Sequence, residues 1–243
     1  MSETKLYCGT SGFSYDSWRP DFYPEKLPNS KFLSHYATRL NAVEVNYTYR
    51  RIAAASTFEK WIQSTPEGFL FLPKAHMKIT HSLKLQGADE FTRVFLDSLE
   101  PLQRAGRLGP ILFQLPPSLK ADPVLLAEFI KCLPRSIKSA FEFRNATWFT
   151  DLVYETLQSA NVALCLAENE NLETPHVLTA DFVYLRLRKP DYTESELDSV
   201  AWRVEQYRAN GYPVYAIFKH EETPAGALNA EQLLGKMAAN QSA

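Results

Sequence analysis

Five charged side chains and two amides converge if the short apolar runs that carry them are strands of one sheet. In AVEVN (42 to 46) the period of two sets Val43 and Val45 on one face and Glu44 and Asn46 on the other. AFEFR (140 to 144) opposes Phe141 and Phe143 to Glu142 and Arg144, and FVYLRLR (182 to 188) opposes Val183, Leu185 and Leu187 to Tyr184, Arg186 and Arg188. By the same alternation Lys74 follows Leu70 and Leu72, and Gln114 follows Leu112, each at the C-terminal end of its run. Lys74, Arg144 and Arg186 can hold a phosphate or carboxylate, with Asn46 and Gln114 as neutral hydrogen-bonding partners. Glu44 and Glu142 can exchange protons, one ionised and the other raised in pKa by burial or by its neighbour. The competing reading is an internal salt-bridge network without catalytic duty. Burying ions costs several kcal/mol each unless the geometry is excellent, so a cluster of five at one end favours a site.

The elements that position these residues follow a rhythm. Runs rich in β-branched and aromatic residues recur at intervals of about 30 residues: 6–10, 42–46, 69–74, 111–115, 140–144, 163–168, 182–188 and 213–219. Between them lie amphipathic helical patterns, such as Phe91, Val94, Phe95, Leu99 and Leu197, Val200, Ala201, Val204, Tyr207. Asp122 before Pro123 reads as a helix cap, and Thr193 with Glu196 as a capping box. Eight strands alternating with helices predict a single-domain (β/α)8 TIM barrel over residues 1–243, with the site at its C-terminal face. The sixth crossover, 169 to 181, contains Pro175 and has room for a turn or a short helix.

The loop after the first strand, SGFSYDSWRPDFYP, is long and aromatic. Tyr15 and Trp18 are expected either to stack on a ligand ring over the barrel mouth or to fold back with Phe13, Phe22 and Tyr23 into a satellite core.

The net charge of −2 offers no global attraction to nucleic acid or to an anionic membrane, so anion binding must be local. No run approaches the roughly 20 apolar residues that span a bilayer, and MSETKLYCGTSG lacks a signal-peptide core, so the expected location is cytoplasmic. Cys8, Cys132 and Cys165 lack disulfide or zinc spacing. His76 and His81 follow the third strand but do not share a helical face, and no metal is predicted. There is no P-loop, G-x-G-x-x-G or G-x-S-x-G, and no motif assigns a cofactor or an oligomeric state.

GTSGFSYDSW, FYP (22 to 24), VEVNYTYRR (43 to 51), LGPILFQLPPS (108 to 118) and AFEFRNATWF (140 to 149) together resemble the YecE-like family, domain of unknown function 72, over essentially the whole chain. The resemblance implies a TIM barrel and no established reaction, substrate or cofactor. It carries over Glu44, Asn46, Lys74, Gln114, Glu142, Arg144, Trp148 and Arg186 as motif positions. After the eighth strand, IFKHEETPAGALNA departs from an asparagine-rich turn and places Lys219 and His220 at the rim.

The expectation is an enzyme with a net-positive mouth that acts on a small anionic substrate by acid/base chemistry, with Asn46, Lys74, Gln114, Arg144, Trp148, Arg186, Tyr15 and Trp18 binding it. The alternatives are a non-catalytic module for nucleotides or single-stranded nucleic acid, and a metal-dependent phosphodiesterase-like enzyme. A glycosidase carboxylate pair is a further option, weakened because the second and fifth strands should stand far apart.

Overall fold

The computed structural model describes residues 4–168, 172–219 and 222–240. Eight parallel strands form one sheet: β1 (Leu6–Ser11), β2 (Ala42–Val45), β3 (Leu70–Pro73), β4 (Ile111–Gln114), β5 (Ser139–Glu142), β6 (Ala163–Ala167), β7 (Val183–Leu187) and β8 (Val214–Phe218). Their order is β3-β2-β1-β8-β7-β6-β5-β4, so the ring closes between β3 and β4. That seam rests on isolated bridges, Phe71 with Leu108 and Lys74 with Leu112. Pro73 and Pro110 both stand there, and neither has the N–H a continuous ladder needs. Gly109 is required at the same place, because a Cβ on it would lie 2.8 Å from the Leu72 side chain.

Helices α1 (Phe32–Arg39), α2 (Tyr47–Arg50), α3 (Ala55–Gln63), α4 (Asp89–Ser98), α5 (Glu100–Arg104), α6 (Pro123–Lys131), α7 (Asp151–Ser159), α8 (Glu194–Ala209) and α9 (Ala225–Asn240) accompany the strands. Asp122 caps α6, its side chain accepting from the Leu125 N–H, and Thr193 with Glu196 forms the capping box of α8. Between β6 and β7 the described residues contain no helix, and a cleft of about 520 Å³ lined by Leu166, Leu185, Leu187 and Arg203 opens on that flank. No helix is long and apolar enough to cross a membrane among the described residues.

Strand alternation produces two cores. Outward residues such as Val43, Phe71, Phe113, Phe141 and Leu185 pack under the helices. Inward residues, among them Ala42, Leu72, Leu112, Ala140, Cys165, Tyr184 and Ile217, fill the barrel. Tyr7 stacks on Tyr215 at 5.1 Å between ring centroids in the N-terminal part of the interior. Layers of apolar side chains therefore lie beneath the polar groups at the C-terminal end. Gly9 permits one further device: the Tyr36 hydroxyl accepts from the Thr10 N–H and donates to the Ala42 carbonyl, each at 2.8 Å, and ties β1 to β2. A Cβ at Gly9 would lie 1.8 Å from that carbonyl oxygen.

Candidate functional site

Glu44 on β2, Gln114 on β4, Glu142 on β5 and Arg186 on β7 are inward-facing, buried, and each one step above a small or apolar inward residue of its own strand. Neighbouring register then makes the contacts. Ser11 stands opposite Glu44 and Gln114 opposite Glu142. Ser11 Oγ donates to Glu44 Oε1 at 2.7 Å, and Gln114 Nε2 donates to Glu142 Oε2 at 2.8 Å.

Arg186 spans the barrel. Its Nη2 donates to Glu44 Oε1 at 2.6 Å and its Nη1 to Glu142 Oε2 at 2.5 Å, with all three side chains 0 to 1% exposed. Tyr184 donates to Glu44 Oε2 at 2.9 Å, and Arg188 Nη2 to Glu142 Oε1 at 2.5 Å. Every carboxylate oxygen of this floor is thus engaged, while Arg186 Nε and Arg188 Nε are buried without a partner.

The electrostatics follow from that geometry. Burial pushes both carboxyls up, but the lowering contributions together outweigh it: Arg186, Lys74 and the hydrogen bonds from Arg186 and Ser11 hold Glu44 below the usual carboxylate range, and Arg186, Arg188 and the hydrogen bonds from Gln114 and Arg186 bring Glu142 down to about 2. Burial disfavours the charged Arg186, yet its two carboxylates overcome this and raise its pKa further. Neither glutamate is therefore the raised-pKa acid expected from sequence. β2 and β5 do stand apart in the ring, with β3 and β4 between them, yet their carboxylates come close enough for one guanidinium to reach both.

Above the floor lies a half-buried rim of Asn46, Lys74, His81, Arg144, Arg188 and Lys219. Asn46 Nδ2 donates to Ser11 Oγ at 3.0 Å. Lys74 Nζ donates to Gln114 Oε1 at 2.9 Å and lies 4.4 Å from the centroid of the Tyr49 ring. Burial and the charge of Arg186, with a smaller push from Lys219, bring the Lys74 amine down to about 8 against the pull of Glu44 and Glu142. His81 sits in a π-helical turn, Lys78–Ser82, its ring 5.4 Å from that of Tyr49. Burial, Lys74 and Arg144 all lower the pKa of His81.

Arg144 requires a correction. β5 ends at Glu142, and Asn145 caps a 3-10 turn at Ala146–Trp148 by accepting from the Thr147 N–H. The chain has left the sheet by residue 144, so Arg144 does not pair with Glu142; Arg188 takes that role. Arg144 stays close enough to His81 and Arg188 for its charge to act on both.

The aromatic expectations change as well. Trp18 is fully buried against Phe22 and Tyr23, and Tyr23 stacks on Phe32 at 4.0 Å, so the first loop folds onto α1 instead of over the mouth. Tyr15 reaches the edge of the site by donating to the Ser11 carbonyl at 3.1 Å. Trp148 is fully buried, stacked on Phe143 at 4.7 Å, with Nε1 donating to the Leu119 carbonyl at 2.8 Å. Trp18 and Trp148 therefore do not contact a ligand at the mouth. His220 lies outside the described residues.

Ser11, Tyr49, His81, Tyr184 and Arg188 belong to the arrangement and are absent from the residues singled out as binding. The alternation that exposed Arg186 also marks Tyr184 and Arg188, whereas Tyr49 lies in the short helix α2 and His81 in a π-helical turn, both past the ends of strands where the period of two no longer applies. Among the described residues no three His, Cys, Asp or Glu side chains converge as a metal-binding group.

The chain matches the family model described as Protein of unknown function DUF72 over residues 7–243. It is 32% identical over 157 residues to UPF0759 protein YunF of Bacillus subtilis (strain 168), covering 62% of this chain and 54% of that protein. The chain thus spans about half the length of that curated relative. The crystal structure of a DUF72 family protein from Thermotoga maritima MSB8 aligns with a TM-score of 0.85 at 26% identity, over 96% of this chain and 99% of that one. AP endonuclease, family 2, from Brucella melitensis shares the fold at a TM-score of 0.55 and 13% identity, over 97% of this chain and 98% of that one. With one family model covering nearly its whole length and a family structure aligning end to end, the chain belongs to the DUF72 family of TIM-barrel proteins.

Proposed function

We propose that the C-terminal mouth of the barrel is a catalytic site for a small anionic substrate, with Lys74 as the group that exchanges a proton and Arg144 as an anion-binding cation. The observation that carries this reading is the environment of Lys74: a half-buried amine at about pKa 8, hydrogen-bonded to an amide and flanked by cations. An amine in that range exists in both protonation forms near neutral pH, as general acid/base work needs. Glu44, Glu142 and Arg186 serve as the platform beneath it, because their charges are spent on one another.

Three observations weigh against the alternatives. Base stacking over the mouth loses its support because Trp18 and its aromatic neighbours are turned into a core. A metal-dependent phosphodiesterase needs carboxylates free to ligate, and those of Glu44 and Glu142 are taken by arginine, serine, tyrosine and amide groups. A glycosidase pair needs one protonated acid, which neither glutamate provides.

A thermal-unfolding titration with inorganic phosphate and with small mono- and dicarboxylates tests the reading, since a ligand of the native state raises its stability by mass action. The expected result is a saturating rise for the wild type that is reduced in both Lys74→Met and Arg144→Met. A rise of equal size and midpoint in all three proteins, or none in the wild type, overturns it.

A further inference from the structure

Lys74 differs from the paired lysines of this protein. Lys131 sits 2.6 Å from Glu128, Lys189 2.6 Å from Glu196 and Lys236 2.6 Å from Asp198, each in ion-pair contact with a carboxylate. Lys74 has no carboxylate in ion-pair range among the described residues; its hydrogen-bonding partner is the Gln114 amide oxygen. That oxygen can accept from an ammonium, more strongly, or from a neutral amine, so Gln114 orients Nζ in either form. The groups facing it are the cations Arg186 and Lys219, the buried carboxylates Glu44 and Glu142, and the rings of Tyr49 and His81. A positioned, desolvated amine among cations is the setting in which lysine acts as a nucleophile toward carbonyl carbon.

We infer that Lys74 forms an imine with the carbonyl group of a small 2-oxo acid or aldehyde acid, whose carboxylate is held by the cationic rim at Arg144. The inference rests on the anion-binding reading above and names its substrate class. In the step, the Nζ lone pair forms the C–N bond. The carbonyl oxygen takes up a proton and later leaves as water with a second proton, one of the two coming from the amine itself. No oxidant or reductant is consumed. The His81 imidazole, its ring beside the same Tyr49 ring that Nζ faces, is placed to carry the proton to the departing oxygen. The burial that brings the amine down to about 8 leaves a usable neutral fraction near pH 7, where an exposed lysine has almost none.

The test incubates the folded protein with glyoxylate or pyruvate and sodium cyanoborohydride, which reduces an imine to a stable secondary amine, followed by peptide mapping by mass spectrometry. The expected result is an adduct on Lys74 that forms at least about tenfold faster than on the exposed Lys26, reflecting the larger neutral fraction of a depressed amine. Its rate should rise with pH and level off above about 8, the Lys74 value. Arg144→Met should slow the labelling of Lys74 and leave that of Lys26 unchanged. Labelling of Lys74 no faster than of Lys26, in a wild-type protein whose stability still responds to phosphate, overturns the imine and leaves anion binding standing. Absence of both responses overturns the two together. Lys74→Arg, checked for native circular dichroism, should lose the fast adduct and leave the labelling of Lys26 unchanged; a fast adduct that persists in this variant overturns the assignment to Lys74.

Discussion

Arg186 and Arg144 belong to the same end of the barrel, and their surroundings are opposite. Arg186 is 1% exposed with a carboxylate on each terminal nitrogen, whereas Arg144 is half-buried and makes no ion pair among the described residues. The same contrast separates Glu142, engaged at both oxygens, from Lys74, whose amine meets an amide. Charges deep in the mouth have become structure, because in a low-dielectric interior each is bound to its opposite. Charges one layer higher keep capacity for something from outside.

The strongest way to break this comparison is Arg186→Met. It leaves Glu44 and Glu142 buried without their shared cation, and the cost should be about 3 to 5 kcal/mol in urea unfolding at pH 7. A loss below about 1 kcal/mol would show that the floor relaxes easily and is no more committed than the rim. Acid should reveal the same commitment. The folded-state pKa of Glu142 lies near 2, below its unfolded value, so its contribution is complete above about pH 4.5 and fades as pH falls toward 2. Glu142→Gln should be less stable at neutral pH and should lose less stability than the wild type over that window.

The rim shows the same direction at higher pH for the opposite reason, because here the fold disfavours the charged form. Lys74 is lowered in the fold, so between about pH 8 and 10.5 the unfolded chain binds more protons and wild-type stability should rise with pH. Lys74→Met should lack that rise and be equal to the wild type or up to about 1 kcal/mol more stable at pH 7, since an apolar residue often replaces a half-buried charge without penalty. Its affinity for phosphate should drop about tenfold, the scale of one charge-assisted hydrogen bond. A flat difference between the two proteins across that pH range would place Lys74 with the exposed lysines. The smallest change in stability is expected for Arg144→Met, within about 0.5 kcal/mol of the wild type, again with weaker phosphate binding. A large destabilisation there would move Arg144 from the rim to the floor.

The barrel was legible because a period of two is written into each strand. Glu44, Glu142 and Arg186 are inward for the reason that Ala42, Ala140 and Tyr184 are, two residues earlier on the same strands. What escaped the pattern begins where strands stop. Arg144 reads as inward only if β5 continues past Glu142, and Asn145 ends it by capping the next turn. Trp18 and Trp148 are aromatic residues in long loops near a mouth, a description that fits a lid and a buttress equally well. Their neighbours Tyr23 and Phe143 decide for the buttress, through contacts that sequence spacing does not encode. The lowered pKa of Lys74 was equally hidden, since it depends on burial in the mouth and then on Arg186 arriving from β7 across the barrel.

The thin seam between β3 and β4 gives the ring a preferred place to part. Lys74 and Gln114 stand just there, one beyond the end of β3 and the other at the end of β4, and their 2.9 Å hydrogen bond stitches with side chains a joint that the backbone only bridges. Amide protons of this joint should exchange with solvent through a local opening, well before those of the β7–β8 ladder, which is paired over five residues from Val183 to Leu187. Any molecule that engages Lys74 acts on the fastening of the barrel as well as on its mouth, so occupancy at the rim would be readable as slowed deuterium uptake along two strands some forty positions apart.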